Sequence, residues 1–236
     1  MKRKKSIILA STSTLFGEDY LVYLSDPIVQ LFAPTKEIIF VPYARPGGIS
    51  HTAYTKNVHS FFAGLGMGVR GLHEFSDPVS ALKESGGIFT GGGNTFLLVK
   101  ALHDFGLMTV LRDVVNAGTP YLGTSAGSNI AGVNMQTTND MPIVYPPSFA
   151  TMGLVPFNIN AHYLDPDPTL KHNGETRETR INEFHVFNQI PVIGLREGSW
   201  ITVKDHQIST EGSRPSRIFR PGQHPEEVAP GTVLRL

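Results

Sequence analysis

One serine in the middle of the chain is surrounded by small residues. The motif G-x-S-x-G is formed by Gly123-Thr124-Ser125-Ala126-Gly127. It follows a predicted strand and precedes a short predicted helix, the context in which a sharp strand-to-helix turn exposes a serine nucleophile. The same residues also fit a glycine-rich turn that packs a helix or binds a phosphate at its N-terminus. The motif alone leaves both interpretations of Ser125 open.

A second glycine-rich segment, "TGGGNTF", follows another predicted strand. Nucleotide binding is disfavoured, because the chain lacks the Gly-Lys pair of a P-loop and has Phe96 where a dinucleotide fingerprint needs its third glycine. The backbone N–H groups of Gly92 and Gly93, together with that of Ala126, are therefore candidates for an oxyanion hole. A plain helix-start turn with Asn94 as N-cap is compatible with that role.

The composition narrows the chemistry further. The 236 residues include no cysteine, which excludes disulfides, a thiolate nucleophile and cysteine-ligated zinc. Lysine plus arginine equal aspartate plus glutamate at 20 each, so no net charge favours nucleic acid or an anionic membrane as a partner. The sequence has no apolar run of about 18 residues that would span a membrane and no His-x-x-x-His pair for a metal. We expect a cytoplasmic protein that acts on a small molecule without a metal or other cofactor.

Short apolar runs alternate with segments of helical periodicity, which predicts a parallel sheet covered by helices. The segment 191–210 predicts a return strand followed by a hairpin. We expect one domain over residues 1–236, of the α/β class, with a doubly wound, mostly parallel sheet flanked by helices. In such sheets ligands bind beyond the carboxyl ends of the strands, where both glycine segments lie. The predicted strands are 6–11, 37–44, 69–75, 86–91 and 120–124, and the predicted helices are 52–65, 78–84, 95–103, 107–116 and 174–187.

Several motifs in order along the chain resemble those of the peptidase E family, the cytoplasmic aspartyl dipeptidases. They are "TGGGNTF", "GTSAGSN", "TTNDMPIV", "NINAHY", "GETRETR" and "VIGLREGSW". The resemblance covers most of the chain, and it departs from the family at Asn173, where the family has a lysine. It implies a fold similar to the class I glutamine amidotransferases, which is flavodoxin-like. It also implies a serine peptidase that cleaves Asp-X dipeptides, has no cofactor and forms a homodimer.

The resemblance assigns roles to further residues. His162 occupies the position of the family's histidine and would be the base for Ser125; His172, nearby in sequence, is the alternative. Asp140 and Glu197 both stand at family positions, and one of them would orient His162, with Glu197 slightly favoured. The other acid would bind the substrate's α-amino group or support its loop.

The family motif also favours Arg177 as the group that binds the aspartate carboxylate, since a planar guanidinium can do so bidentately. The alternative is that Arg177 and Arg180 form surface ion pairs with Glu175 and Glu178 on one helix face. Two other functions remain open for the whole chain. One is a cyanophycinase-like hydrolase that cuts isoaspartyl bonds, and the other is a catalytically silent binding module of the same fold.

Overall fold

The computed structural model describes residues 4–167, 169 and 174–235 of the protein, so His172 and Asn173 lie outside the described residues. The described part contains two β-sheets, one of seven strands and one of four. The strands are β1 (Ser6–Ala10), β2 (Glu37–Val41), β3 (Gly68–Gly71), β4 (Ile88–Thr90), β5 (Tyr121–Thr124), β6 (Asn158–Ala161), β7 (Val192–Leu195), β8 (Ser199–Lys204), β9 (Gln207–Gly212), β10 (Ser216–Phe219) and β11 (Glu226–Val228).

The larger sheet has the order β3-β2-β4-β5-β1-β8-β9. Its first five strands pair in parallel, and β8 and β9 add an antiparallel edge. The expected mostly parallel sheet is therefore confirmed. The five parallel strands occupy the same spatial order as the flavodoxin-like 2-1-3-4-5 arrangement, except that the N-terminal strand β1 fills the last place.

Helices cover the larger sheet. Most begin at a capping side chain, such as Ser50, which accepts a hydrogen bond from the N–H of Ala53, and Asn94, which accepts one from the N–H of Leu97. Within the described ranges, no helix combines the length and the apolar character needed to cross a membrane. The helices are α1 (Ser25–Phe32), α2 (His51–Gly64), α3 (Pro78–Glu84), α4 (Thr95–Asp104), α5 (Leu107–Asn116), α6 (Ala126–Asn129) and α7 (Arg177–Phe187).

The core lies on both faces of the larger sheet, as a doubly wound architecture requires. One buried cluster includes Leu98 of α4 and Leu111 of α5. The other includes Ile28 of α1 and Phe62 of α2. Alternate residues of the strands point to opposite faces, so Ile7 belongs to the first cluster and its neighbour in the chain to the second.

Three elements differ from the sequence prediction. Helix α1 was not predicted, although Ile28, Leu31 and Phe32 have the spacing of a buried helix face. Strand β3 ends at Gly71, whose N–H binds the carboxylate of Glu74, so a 3-10 turn replaces the second half of the predicted strand 69–75. The predicted return strand exists as β7, but it belongs to the four-stranded sheet, of order β11-β10-β7-β6, which was not predicted.

Candidate active site

Ser125 lies at a sharp turn between β5 and α6. Its backbone has φ 52° and ψ −112°, a conformation that residues other than glycine rarely adopt. The turn needs small neighbours, because a Cβ on Gly127 would lie 2.1 Å from the carbonyl oxygen of Thr90, and one on Gly123 would lie 2.5 Å from that of Gly127. The N–H of Ser125 donates to the carbonyl of Ala10 at 3.1 Å. The turn thus fixes the serine beyond the end of the parallel sheet.

His162 follows β6, and its ring lies between Ser125 and Glu197. Its Nε2 is 2.9 Å from Oγ of Ser125, and its Nδ1 is 2.7 Å from Oε1 of Glu197. A carboxylate can only accept a hydrogen bond, so Nδ1 carries the ring proton and Nε2 is left to accept the serine proton. This hydroxyl–imidazole–carboxylate chain is the arrangement that turns a serine into a nucleophile.

The smaller sheet brings the histidine and the glutamate together. Strands β6 and β7 are parallel, and Ala161 pairs with Leu195 in their register. The chain therefore leaves both strands at the same level, which places His162 and Glu197 side by side. Their side chains are 40% and 45% exposed, so the pair faces solvent and is open to a small substrate.

The glycine segment "TGGGNTF" lies beside Ser125. A Cβ on Gly92 would lie 3.1 Å from that of Ser125, and a Cβ on Gly93 would lie 2.2 Å from the carbonyl oxygen of Ala44. The hydroxyl of Tyr54 donates to the carbonyl of Gly92 at 3.2 Å. Because a trans peptide directs its N–H opposite to its carbonyl, this bond sets the direction of the Gly93 N–H.

The candidate oxyanion hole consists of three backbone N–H groups. Within residues 4–167, 169 and 174–235, the N–H groups of Gly92, Gly93 and Ala126 have no acceptor. Two segments distant in sequence thus present free backbone donors next to one serine, as an oxyanion hole requires. Sequence reasoning missed Tyr54, since a tyrosine within a helix gives no signal of such a role.

The structure does not bring Asp140 to the histidine. Its Oδ2 accepts hydrogen bonds from the N–H of Thr95 at 2.7 Å and from the hydroxyl of Thr138 at 2.9 Å. It therefore ties its own loop to the first turn of α4, where a carboxylate is favoured by the helix dipole. Of the two acids proposed from the sequence, Glu197 contacts His162, and Asp140 supports a loop.

Arg177 is the first residue of α7, and no acidic side chain of the described residues forms an ion pair with it. Burial lowers the pKa of its guanidinium, Arg180 lowers it further, and the negative charge of Asp140 raises it. Arginine nevertheless stays protonated in proteins. Arg180 does form the surface ion pair considered as the alternative role of these arginines: its Nε lies 3.6 Å from Oε2 of Glu175. Among the described residues, Arg177 is left as a half-buried cation with no carboxylate at ion-pair distance.

Arg196, next to Glu197 in the chain, is a residue that sequence reasoning missed. All five of its N–H groups are used: Asp165 and Glu227 are each bound through two nitrogens, and the carbonyl of Pro215 accepts the fifth bond. These partners raise the pKa of Arg196. The sequence signal that could have identified Arg196 is the position of a charged residue directly after the buried strand "VIGL".

The same cluster reaches α7. The guanidinium of Arg217 lies 3.4 Å from Oδ1 of Asp165 and 2.9 Å from Oε2 of Glu178. Glu178 directly follows Arg177 in the chain. Asp165 in turn is three residues beyond His162. Ion pairs therefore connect the segments that carry the histidine, the glutamate and the free arginine.

We expect Asp165 to make the stability of the protein depend on acid pH. Hydrogen bonds from Arg196 lower its pKa, so its contribution is present above the unfolded value of about 4 and is lost as the pH falls through the folded value. Asp165→Asn should lower Tm at pH 7, and this deficit should shrink as the pH falls below the unfolded value of about 4. Asp113→Asn, at an exposed pair with Arg112, is the control and should leave Tm unchanged. A Tm deficit of Asp165→Asn that is as large at acid pH as at pH 7 would show that Asp165 does not cause this pH dependence.

An α/β fold with a serine, a histidine and a glutamate hydrogen-bonded in series at the strand ends defines the class of serine-type hydrolases. The model named Peptidase family S51 matches residues 7–211. The chain belongs to this family and is a serine-type peptidase, so the resemblance drawn from the motifs is confirmed.

Relatives match over nearly the full chain. "Peptidase E" of Streptomyces coelicolor is 47% identical over 229 residues, which are 97% of this chain and 93% of that protein. "Probable alpha-aspartyl dipeptidase" of Drosophila melanogaster is 42% identical over 233 residues, 98% of this chain and 96% of that protein. The crystal structure of a peptidase from an acI-B1 actinobacterium superposes with a TM-score of 0.76 over 100% of this chain and 98% of the other, at 15% identity, and supports the fold alone.

Proposed function

We propose that this peptidase is a dipeptidase that hydrolyses substrates with N-terminal aspartate, Asp-X, through an aspartyl-enzyme intermediate. The observation that carries the proposal is the series Ser125 Oγ, His162 and Glu197, with contacts of 2.9 and 2.7 Å. The names of the relatives from Streptomyces coelicolor and Drosophila melanogaster support it.

In the proposed mechanism, His162 Nε2 accepts the proton of Ser125 while Oγ attacks the scissile carbonyl carbon. Glu197 holds the ring through Nδ1 and stabilises the imidazolium that forms. The N–H groups of Gly93 and Ala126, with that of Gly92, bind the oxyanion of the tetrahedral intermediate. The imidazolium then protonates the leaving amine, and the X residue departs.

Hydrolysis of the aspartyl ester completes the cycle. A water molecule gives a proton to the neutral His162 and attacks the ester carbonyl, and the same N–H groups stabilise the second oxyanion. The C–O bond to Ser125 breaks, and the imidazolium returns the proton to the serine. Free aspartate leaves, and the protein needs no metal or other cofactor for these steps.

Selection of aspartate is assigned to Arg177. Asparagine has nearly the same volume as aspartate, so a pocket must use charge to separate the two side chains. Arg177 is half-buried and has no carboxylate partner among the described residues, whereas Arg180 is paired with Glu175. Bidentate binding of the substrate's β-carboxylate would satisfy the free guanidinium.

Asp140 is proposed to support the site. It fixes the loop that contains Thr138 to the start of α4, and its negative charge acts on Arg177, whose pKa it raises. A substrate with an α-ammonium and a β-carboxylate carries the complementary pair. Asp140 is therefore also the candidate for the α-ammonium of an N-terminal residue.

We also propose, on the resemblance to the peptidase E family, that the protein is a cytoplasmic homodimer. Light scattering coupled to size-exclusion chromatography tests the assembly. A mass of twice 25.8 kDa at micromolar concentration would support it, and a monomer would contradict it. Fractionation of cells that express the protein tests its compartment.

The proposed activity is tested with three dipeptides, Asp-Leu, β-Asp-Leu and Leu-Leu, by measuring amine release. We expect hydrolysis of Asp-Leu and little of the other two. Preference for β-Asp-Leu would indicate the cyanophycinase-like alternative instead. Absence of hydrolysis of all three by folded protein would indicate the silent binding module.

A further inference from the structure

Two consecutive residues at the end of β1 hold the serine and the histidine. The carbonyl of Ala10 accepts the N–H of Ser125 at 3.1 Å. The side chain of the next residue, Ser11, accepts the N–H of His162 at 2.9 Å. The relative position of Ser125 and His162 is therefore set from one short segment of the central sheet.

The hydroxyl of Ser11 is fully committed to this position. Ser11 is completely buried, and its Oγ donates to the carbonyl of Leu195 at 2.8 Å. Because the single hydroxyl proton goes to Leu195, a lone pair of Oγ faces His162. The N–H of Ser11 donates to the carbonyl of Ser199 at 3.1 Å. Ser11 thus connects the larger sheet to Leu195, the last residue of β7, which lies two residues before Glu197 in the chain.

The backbone of His162 needs such a restraint. Its φ is 54°, in the left-handed region that residues other than glycine occupy only when their surroundings hold them there. The N–H of the next residue, Tyr163, donates to the carbonyl of Leu195 at 2.9 Å. Ser11 and Leu195 together fix the peptides on both sides of His162. Without the Ser11 hydroxyl, the N–H of His162 loses its acceptor, and a rotation of φ would move the ring away from Ser125.

We propose that Ser11 is a positioning residue for the serine mechanism: its hydroxyl fixes the backbone of His162 so that the ring bridges Ser125 and Glu197. This role rests on the proposed function for its effect on turnover, but the ring position is a separate property of the folded protein. Ser11 acts through His162, so its loss should lower kcat and leave KM largely unchanged.

The test compares Ser11→Ala with Thr210→Val. Thr210 is also buried and donates its hydroxyl to a backbone carbonyl, that of Ala229 at 2.9 Å, but it lies on the edge strand β9. Both variants lose a hydroxyl that donates to a backbone carbonyl, and Ser11→Ala loses in addition the acceptor of the His162 N–H. With aspartyl p-nitroanilide, Ser11→Ala should lose about 10- to 100-fold in kcat with KM within about threefold. Thr210→Val should keep kcat within about twofold.

The ring itself is observed by NMR. The Cε1–Hε1 correlation of His162, assigned by its absence in His162→Gln, should shift or broaden in Ser11→Ala and stay unchanged in Thr210→Val. This readout does not depend on the substrate, so an inactive wild type would overturn the proposed function without affecting the test of Ser11.

Wild-type kcat and an unchanged His162 signal in folded Ser11→Ala would overturn the proposal. So would an equal loss of kcat in Thr210→Val, which would indicate a general effect of stability. If Ser11→Ala does not fold, Ser11→Cys decides by the same comparison. Its thiol is a weaker donor and acceptor of similar shape, so an unchanged kcat and an unchanged His162 signal in folded Ser11→Cys would also overturn the proposal.

Discussion

Ser125→Ala is expected to lower kcat/KM for Asp-Leu by about 10³- to 10⁶-fold, because a hydrogen-bonded serine, histidine and acid act as a unit. The hydroxyl of Ser125 has His162 as its partner, so its removal leaves few bonds unmade and the protein should stay folded. The measurement is steady-state release of leucine from Asp-Leu, with Tm recorded for the same samples.

Ser125→Gly provides the matched control for folding. The backbone at φ 52° and ψ −112° is strained for alanine as it is for serine, but it is accessible to glycine. This variant should be equally inactive and at least as stable as the wild type. A Ser125→Ala protein that is folded and retains a tenth of wild-type turnover would show that another group is the nucleophile.

Arg177→Met is expected to reduce kcat/KM for Asp-Leu by about 10²- to 10⁴-fold while activity on Asn-Leu changes far less. In the proposed function, an aspartate carboxylate desolvates the guanidinium and pairs with it, whereas asparagine cannot form that pair. Arg177→Lys should recover little, because a point charge cannot reproduce a planar fork. The measurement is kcat/KM for Asp-Leu and Asn-Leu with each variant.

Arg180→Met is the matched control, since it removes the same side chain one turn further along α7. Arg180 is already paired with Glu175 at 3.6 Å, and its side chain is 55% exposed. We expect little change on either substrate. Equal losses on both substrates at Arg177, or a selective loss at Arg180 alone, would show that the aspartate carboxylate is bound elsewhere.

Local signals in the sequence predicted the sharp turn at Ser125 and its position between a strand and a helix. The turn at Ser125 depends on glycines within two residues of it, so the motif contains most of its physical cause. The parallel sheet likewise follows from the alternation of buried runs and helical segments. The resemblance added His162 and Glu197, which no local pattern brings together, because β6 and β7 must first pair to place them side by side.

The remaining parts of the site depend on contacts between distant segments. Ser11 and His162 are 151 residues apart in the chain, and Tyr54 and Gly92 are 38 apart. A serine at the end of a strand and a tyrosine within a helix have many possible roles, and only tertiary packing selects one. Asp140 is a further case: its motif left open contact with the histidine, binding of the substrate's α-amino group and support of its loop, and only the fold shows its carboxylate bonded to the start of α4.

The central claim, that Ser125 carries an aspartyl group during turnover, is tested most directly by partitioning with hydroxylamine. Asp-Leu and aspartyl p-nitroanilide have different leaving groups, but both would pass through the same aspartyl ester. We predict that added hydroxylamine converts part of the product into aspartyl hydroxamate. At any given hydroxylamine concentration, the ratio of hydroxamate to free aspartate should be the same for the two substrates. A ratio that changes with the leaving group, or turnover of both substrates without any hydroxamate, would contradict the aspartyl-enzyme mechanism.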